Sequence, residues 1–331
     1  MEVTGLTPDR GVPFRDIWTS AEQRATRARL RADMRRRQGL GARQKSALDG
    51  LVHALRRESM DRSFPERILL SYDLGSRFRS PAAIVAVGEI DTATHVSWQV
   101  SGMGISVHTA MWGSVKEAAQ LWAAQKSAGA EHPCVISWLG YQPPGPWGVL
   151  SSRSALRGGA RLALHLNSWF DHYERLRAED RSGRTPPRPH TAVEAHSYGT
   201  VVAARALQIL HRSSPSRSID ALVVSGAVGL PRDLAGDPAA LGMSEERIYT
   251  ALADTDYLSR LALWFSGRRQ WTRATELKTT ADEERNLAAA VGHNTSRYRP
   301  DARLFRRGRG YRDPGTASLY RIARATIGLP P

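Results

Sequence analysis

The segment Val193-Glu194-Ala195-His196-Ser197-Tyr198-Gly199-Thr200 sets a serine between an apolar run and a helix-forming run. A serine hydroxyl is a weak nucleophile until a base takes its proton, and a sharp strand-to-helix turn is one way to present it. Such a turn crowds the backbone, so small residues are needed two positions before and two after the serine. Ala195 and Gly199 meet that need. The five-residue pattern recurs by chance, and Ala195 departs from the stricter glycine form. Its surroundings, Thr191 to Ala195 upstream and Thr200 to Leu207 downstream, supply the strand and helix that this chemistry requires.

In hydrolases built on this turn the partners follow in the order serine, acid, histidine. Of ten histidines only His211 and His293 follow Ser197, and His211 belongs to the helix after the turn. His293, in the loop Val291-Gly-His-Asn-Thr-Ser-Arg-Tyr298, is therefore the candidate base. A surface histidine beside a basic tail is the plainer alternative. The acid should end a strand between the two, and Ile248 to Ala253 runs directly into Asp254-Thr255-Asp256. Either aspartate of that pair could orient the imidazole and stabilise its cation. Asp233, Asp237, Glu245 and Glu246 are looser candidates in the preceding loop. Two donors for an oxyanion are expected from the backbone: Tyr198, after the nucleophile, and Met103, in the glycine-containing loop Ser101-Gly-Met-Gly-Ile105. A tight turn with no ligand role would use the same glycines.

These residues need a scaffold. Candidate strands are Ile68 to Tyr72, Ala82 to Val87, Val96 to Val100, Cys134 to Trp138, Thr191 to Ala195, Ala221 to Val224 and Ile248 to Ala253. Helices are expected at Val107 to Ser127, Ser154 to Arg177 and Gly199 to Arg212. Strands alternating with helices predict an α/β fold on a largely parallel sheet, with the closely spaced early strands forming an antiparallel edge. Upstream, residues 19–60 read as a helical hairpin, capped by Thr19 or Ser20, with Leu48, Leu51, Val52 and Leu55 on one docking face. The domain division expected is 1–64 as a basic helical extension, 65–299 as the catalytic domain, and 300–331 as a basic tail ending in a short helix.

The net charge is +15, and only four of the 47 basic residues are lysines. Arginines crowd two regions, Arg24 to Arg37 and Arg303 to Arg312. Such runs could bind an anionic partner or surface, or be solvated helix faces and tails. The lone Cys134 excludes an intramolecular disulfide and is expected to be buried and inert. No secretory signal and no membrane span is legible, so a cytoplasmic location is expected, with signal-independent export left open.

The assembled segments resemble the α/β-hydrolase family first catalogued as domain of unknown function 1023, over about residues 67–298. The resemblance rests on Val87-Gly-Glu-Ile-Asp-Thr-Ala93, Ser101-Gly-Met-Gly104, Trp138-Leu-Gly-Tyr141 with its following prolines, His196-Ser-Tyr-Gly199, Ser225-Gly226 to Gly229, and Gly292-His293 to Tyr298. It implies Ser197 as nucleophile and His293 as base, and it favours Asp256 as the acid. The chain departs from the family pattern at Ala195, usually glycine, and at Ser101, usually proline.

The activity expected is hydrolysis of an ester or related acyl bond, with no metal or organic cofactor. A small or lipid-like acyl substrate is expected, since Trp138, Tyr141, Trp147, Trp264, Phe265 and Trp271 could line an apolar pocket, although aromatics also build cores. An inactive hydrolase fold binding a partner through its arginine-rich arm is the alternative from a different class.

Overall fold

The computed structural model describes residues 17–76, 78–145, 147–180, 188–271, 273–296 and 308–331. Within them the apolar runs pair into one eight-stranded sheet. Its strands are β1 (Arg67–Asp73), β2 (Ala82–Val87), β3 (His95–Val100), β4 (Pro133–Leu139), β5 (His190–His196), β6 (Ala221–Ser225), β7 (Ile248–Ala251) and β8 (Thr275–Glu276). Their spatial order is β1-β2-β4-β3-β5-β6-β7-β8. Strand β2 runs antiparallel to β1 and β4, and the remaining neighbours are parallel. The expected antiparallel edge is thus β1 and β2. Strand β3 is not part of it, because it lies between β4 and β5, where its C-terminal end borders the serine turn.

Strands covered on both faces read as continuous apolar runs, and β2, β4 and β6 are buried throughout. The two-residue side-chain period sorts each strand between two cores. In β4, Cys134, Ile136 and Trp138 enter one cluster, and Val135 and Leu139 enter the other. Helices α4 (Arg153–Glu179) and α5 (Gly199–Ser213) close the first cluster with Leu162, Leu166, Val201 and Leu207. Helices α2 (Ala42–Leu55), α3 (Val107–Ser127) and α7 (Ala317–Ala325) close the second with Leu51, Val115 and Ile322.

Helix α1 (Ser20–Arg35) has Thr19 at its N-cap, whose side chain accepts from the Glu22 amide at 3.3 Å. Just before it, Trp18 is fully buried, donates from Nε1 to Ser168 Oγ at 2.8 Å, and meets Trp98 and Trp169 edge-on. Much of the N-terminal arginine cluster is tied to its own chain. Arg27 pairs with Glu66, Arg36 with Asp33, Arg37 with Asp49, and Arg29 donates to the Tyr72 carbonyl.

Described residues of all three expected segments pack together, while the 299/300 division itself lies outside the described residues. Leu48 and Leu51 share one core with Val85, Val115, Leu319 and Ile322. Within the expected basic tail of 300–331, Tyr311, Arg312 and Asp313 are buried. Arg303, Arg306 and Arg307 lie outside the described residues. Among the described residues no helix is long and apolar enough to cross a membrane.

Because Leu51 is fully buried in that shared core, Leu51→Ala should destabilise the whole protein by about 2–5 kcal/mol. Chemical denaturation followed by circular dichroism and by tryptophan fluorescence should give coincident transitions. Separate melting of the N-terminal hairpin would contradict this packing.

Candidate active site

Strand β5 delivers its chain end into a sharp turn at Ser197, whose φ of +55° is rare for a residue with a side chain. A non-glycine residue held there signals local strain, found where structure fixes a reactive group. The turn fits because Gly199 has no Cβ: one there would lie 2.5 Å from the Val100 carbonyl oxygen at the end of β3. Ala195, by contrast, is accommodated and fully buried. Tyr198 is buried and locks the turn to the start of α4, donating to the Ser151 carbonyl at 2.7 Å and accepting from the Ala155 amide at 3.2 Å.

His293 lies opposite. Its Nε2 is 2.8 Å from Ser197 Oγ, and its Nδ1 is 3.0 Å from each carboxylate oxygen of Asp256. The structure therefore brings Asp256, and not the exposed Asp254, to the imidazole. Asp256 ends the turn after β7 and caps helix α6 (Tyr257–Ser266), accepting from the Ser259 amide at 3.0 Å. Ser259 Oγ lies 2.8 Å from Asp256 Oδ2 and 3.0 Å from His293 Nδ1. Tyr311 donates to Asp256 Oδ2 at 2.9 Å while its oxygen accepts from the Ala253 amide at 2.8 Å.

Burial alone would raise the Asp256 pKa. Hydrogen bonds and charge from His293, with hydrogen bonds from Ser259, outweigh it and lower the pKa to about 2. The neighbouring His196 is buried, and burial first, then the electrostatic influence of His293 and Arg312 beside it, pushes its imidazole pKa well below the usual range. His196 is thus a neutral ring, 4.9 Å from the His293 ring and 3.2 Å from Ser225 Oγ through Nδ1.

The loop after β3 abuts the serine. A Cβ on Gly102 would fall 2.7 Å from that of Ser197, so only glycine lets this loop come so close. Met103, next in the loop, packs half-buried against the core. A cavity of about 80 Å³ lies beside the loop, bounded by Gly102, Glu117, His196, Thr295 and Arg312 among others.

Arg312 occupies the centre of a buried ionic cluster. Its guanidinium bridges Glu194 of β5 and Glu117 of α3, the latter at 2.8 Å. Burial would weaken its charge, and the two carboxylates outweigh that, holding its pKa above the ordinary value. Glu117 also accepts from Thr295 and Ser296, just beyond His293, at 2.5 and 2.8 Å. The Gly292 amide donates to Thr255 Oγ1 at 2.8 Å, and the Arg312 amide to the Thr295 carbonyl at 2.8 Å. The loop bearing His293 is thus fastened on three sides.

Sequence reasoning missed Ser259, Tyr311, Arg312, Glu117 and the part played by His196. The available signal was Glu194, a carboxylate inside an otherwise apolar strand that demands a buried partner. Among the aromatics expected at an acyl pocket, Trp138 and Tyr141 are core residues, stacked at 5.8 Å. Trp271 is half-buried against the core, and Trp264 and Phe265 are exposed on α6. The Trp147 side chain lies outside the described residues. Cys134 is fully buried, and burial pushes its thiol pKa up. Among the described residues no cluster of three histidine, cysteine or carboxylate side chains is placed to hold a metal ion.

Residues 78–264 match a family model described as alpha/beta hydrolase, and the chain belongs to that family. No curated protein sequence matches it. Solved structures similar to it include a fungal esterase from Rhizomucor miehei, at 14% identity over 80% of this chain and 88% of that one, with a TM-score of 0.36. A mutant of the feruloyl esterase module from Clostridium thermocellum is 10% identical over 65% of this chain and 75% of that one, with a TM-score of 0.41.

Two measurements test this geometry. Removing one partner of a buried ion pair leaves an uncompensated charge, so Arg312→Met should lower unfolding free energy by about 3–5 kcal/mol. A loss below about 1 kcal/mol in urea denaturation would contradict the cluster. A depressed carboxylate adds stability that is full above its unfolded value, near 3.9, and lost as pH falls through about 2. The urea midpoint of the wild type should therefore fall more between pH 4 and pH 2 than that of Asp256→Asn; parallel falls would contradict it.

Proposed function

We propose that the protein is a serine hydrolase that cleaves a carboxylic ester or related acyl bond, with Ser197 as nucleophile, His293 as general base and Asp256 as the orienting acid. The observation that carries this reading is the line of contacts from Ser197 Oγ through the His293 ring to Asp256, at 2.8 and 3.0 Å. Chain order, the left-handed backbone at Ser197 and membership of the hydrolase family support it. The quoted motifs further support placing the chain in the narrower family catalogued as domain of unknown function 1023.

In this mechanism Asp256 accepts from Nδ1–H, which leaves Nε2 free to take the Ser197 proton as Oγ attacks the acyl carbon. The C–O bond to the leaving group breaks after a tetrahedral intermediate, and His293 returns the proton to the departing oxygen. Water then attacks the acyl-enzyme by the same route, releasing the acid and restoring Ser197. The amides of Tyr198 and Met103 are assigned to the oxyanion, one at the start of α5 and one in the loop pressed against Ser197. No cofactor enters the scheme. The substrate class we assign is an acyl ester.

Hydrolysis of short p-nitrophenyl esters by purified protein is the direct assay. Ser197→Ala should abolish it, and Asp256→Asn should lower kcat by about 10³–10⁴-fold, as expected when the imidazole is held in the wrong tautomer. Asp254→Asn should stay within about threefold of the wild type, since that side chain is exposed and apart from the imidazole. Turnover by Ser197→Ala, or a larger loss in Asp254→Asn than in Asp256→Asn, would overturn the assignment.

A further inference from the structure

Helix α6 is built inside out. The residues it turns toward the protein are small or polar: Ser259 is buried, and Ala262 and Ser266 are half-buried, with Leu263 the one large residue among them. Its outer face carries Tyr257, Leu258, Leu261, Trp264 and Phe265, exposed by 72, 49, 52, 76 and 61%. Trp264 and Phe265 brace each other edge-to-face at 4.8 Å. Single exposed apolar residues are ordinary on a protein surface, but a contiguous group on one helix marks an interaction face. The turn Trp147–Leu150 packs beside α6 and extends the face with Leu150, 45% exposed.

Exposed arginines outnumber exposed carboxylates along this face: Asp254 stands just before α6, Arg273 is paired with Glu245 at 3.0 Å, and Arg268 is buried, donating to the Val149 carbonyl at 2.6 Å. From Tyr257 to Thr275 the chain holds four arginines and no acidic residue, and from Trp147 to Phe170 it holds three and none. Arg260 and Arg269 are exposed on and just after α6, and Arg153 on the first turn of α4 after Leu150. Arg232, also exposed, donates to the Gly267 carbonyl at the C-terminal end of α6 at 2.7 Å. Aromatic and aliphatic side chains rimmed by arginine match the boundary between acyl chains and anionic headgroups.

We propose that α6 docks the protein on an anionic phospholipid surface, seating its aromatic face in the interfacial layer and its arginines on lipid phosphates. The helix starts at the residue after Asp256, and Ser259 Oγ on its inner face lies 3.0 Å from His293 Nδ1. Docking therefore brings the candidate active site to within about one helix length of the bilayer surface, roughly 15 Å for ten residues. The docking step stands apart from the hydrolase reading, because it is read by binding and not by turnover.

The test is flotation of the full chain with vesicles of phosphatidylcholine alone and with about a third phosphatidylserine. The wild type should float with the anionic vesicles and lose most of that binding in high salt. The double variant Trp264→Ser, Phe265→Ser should bind anionic vesicles at least about tenfold more weakly. Both side chains are exposed, so its urea midpoint should match the wild type. Arg260→Glu with Arg269→Glu should reduce anionic binding and leave neutral vesicles unaffected. Wild-type protein that floats with neither vesicle, or a double aromatic variant that floats like the wild type, would overturn the proposal. A wild type that sediments as a dimer which the aromatic variant dissolves, with no vesicle binding, would overturn it in favour of a second copy on this face.

Discussion

A carboxylate with no solvent exposure persists at Asp256 because donors from three separate segments converge on it. The Ser259 amide comes from α6, the Tyr311 hydroxyl from the C-terminal segment, and the His293 ring from the loop between them. An unpaired charge in that position would be strongly disfavoured, so the three segments are held together by the same requirement. That requirement also fixes the imidazole, because the nitrogen facing Asp256 must carry the proton and the other must face Ser197. The C-terminal segment is therefore a structural part of the site.

A second constraint couples the serine strand to the histidine loop. Glu194 lies three residues before Ser197 and Glu117 holds Thr295 and Ser296, while Arg312 joins the two carboxylates. One buried cluster thus links the strand that ends at Ser197 to the loop that carries His293. Preorganisation of this kind lowers the cost of bringing nucleophile and base together.

The sheet was legible in the sequence wherever a strand was a run of apolar residues buried on both faces, as in β2, β4 and β6. Chain order and the small residues around Ser197 were enough to select His293. They were not enough to choose between Asp254 and Asp256, because both end the same strand and only the turn geometry decides which side chain points inward. Strand β8 was missed because two exposed residues carry no periodic pattern. Helix α6 was missed because its apolar face points outward, against the usual sign of amphipathicity. Arg312 reads from sequence as part of a basic run that either meets an anionic partner or is solvated, because a charge gives no local sign of burial; its partners, Glu117 and Glu194, are 195 and 118 residues away. Trp18 carries no local sign of its role because its neighbours Trp98 and Trp169 are remote in the chain.

The central claim is that Ser197 is a nucleophile activated by His293. A fluorophosphonate phosphorylates an activated serine, and the adduct can be mapped by peptide mass spectrometry. The account predicts a single adduct on the peptide containing Ser197, lost in His293→Ala and retained in Asp254→Asn. An adduct on another residue, or labelling of Ser197 that persists undiminished in His293→Ala, would contradict it.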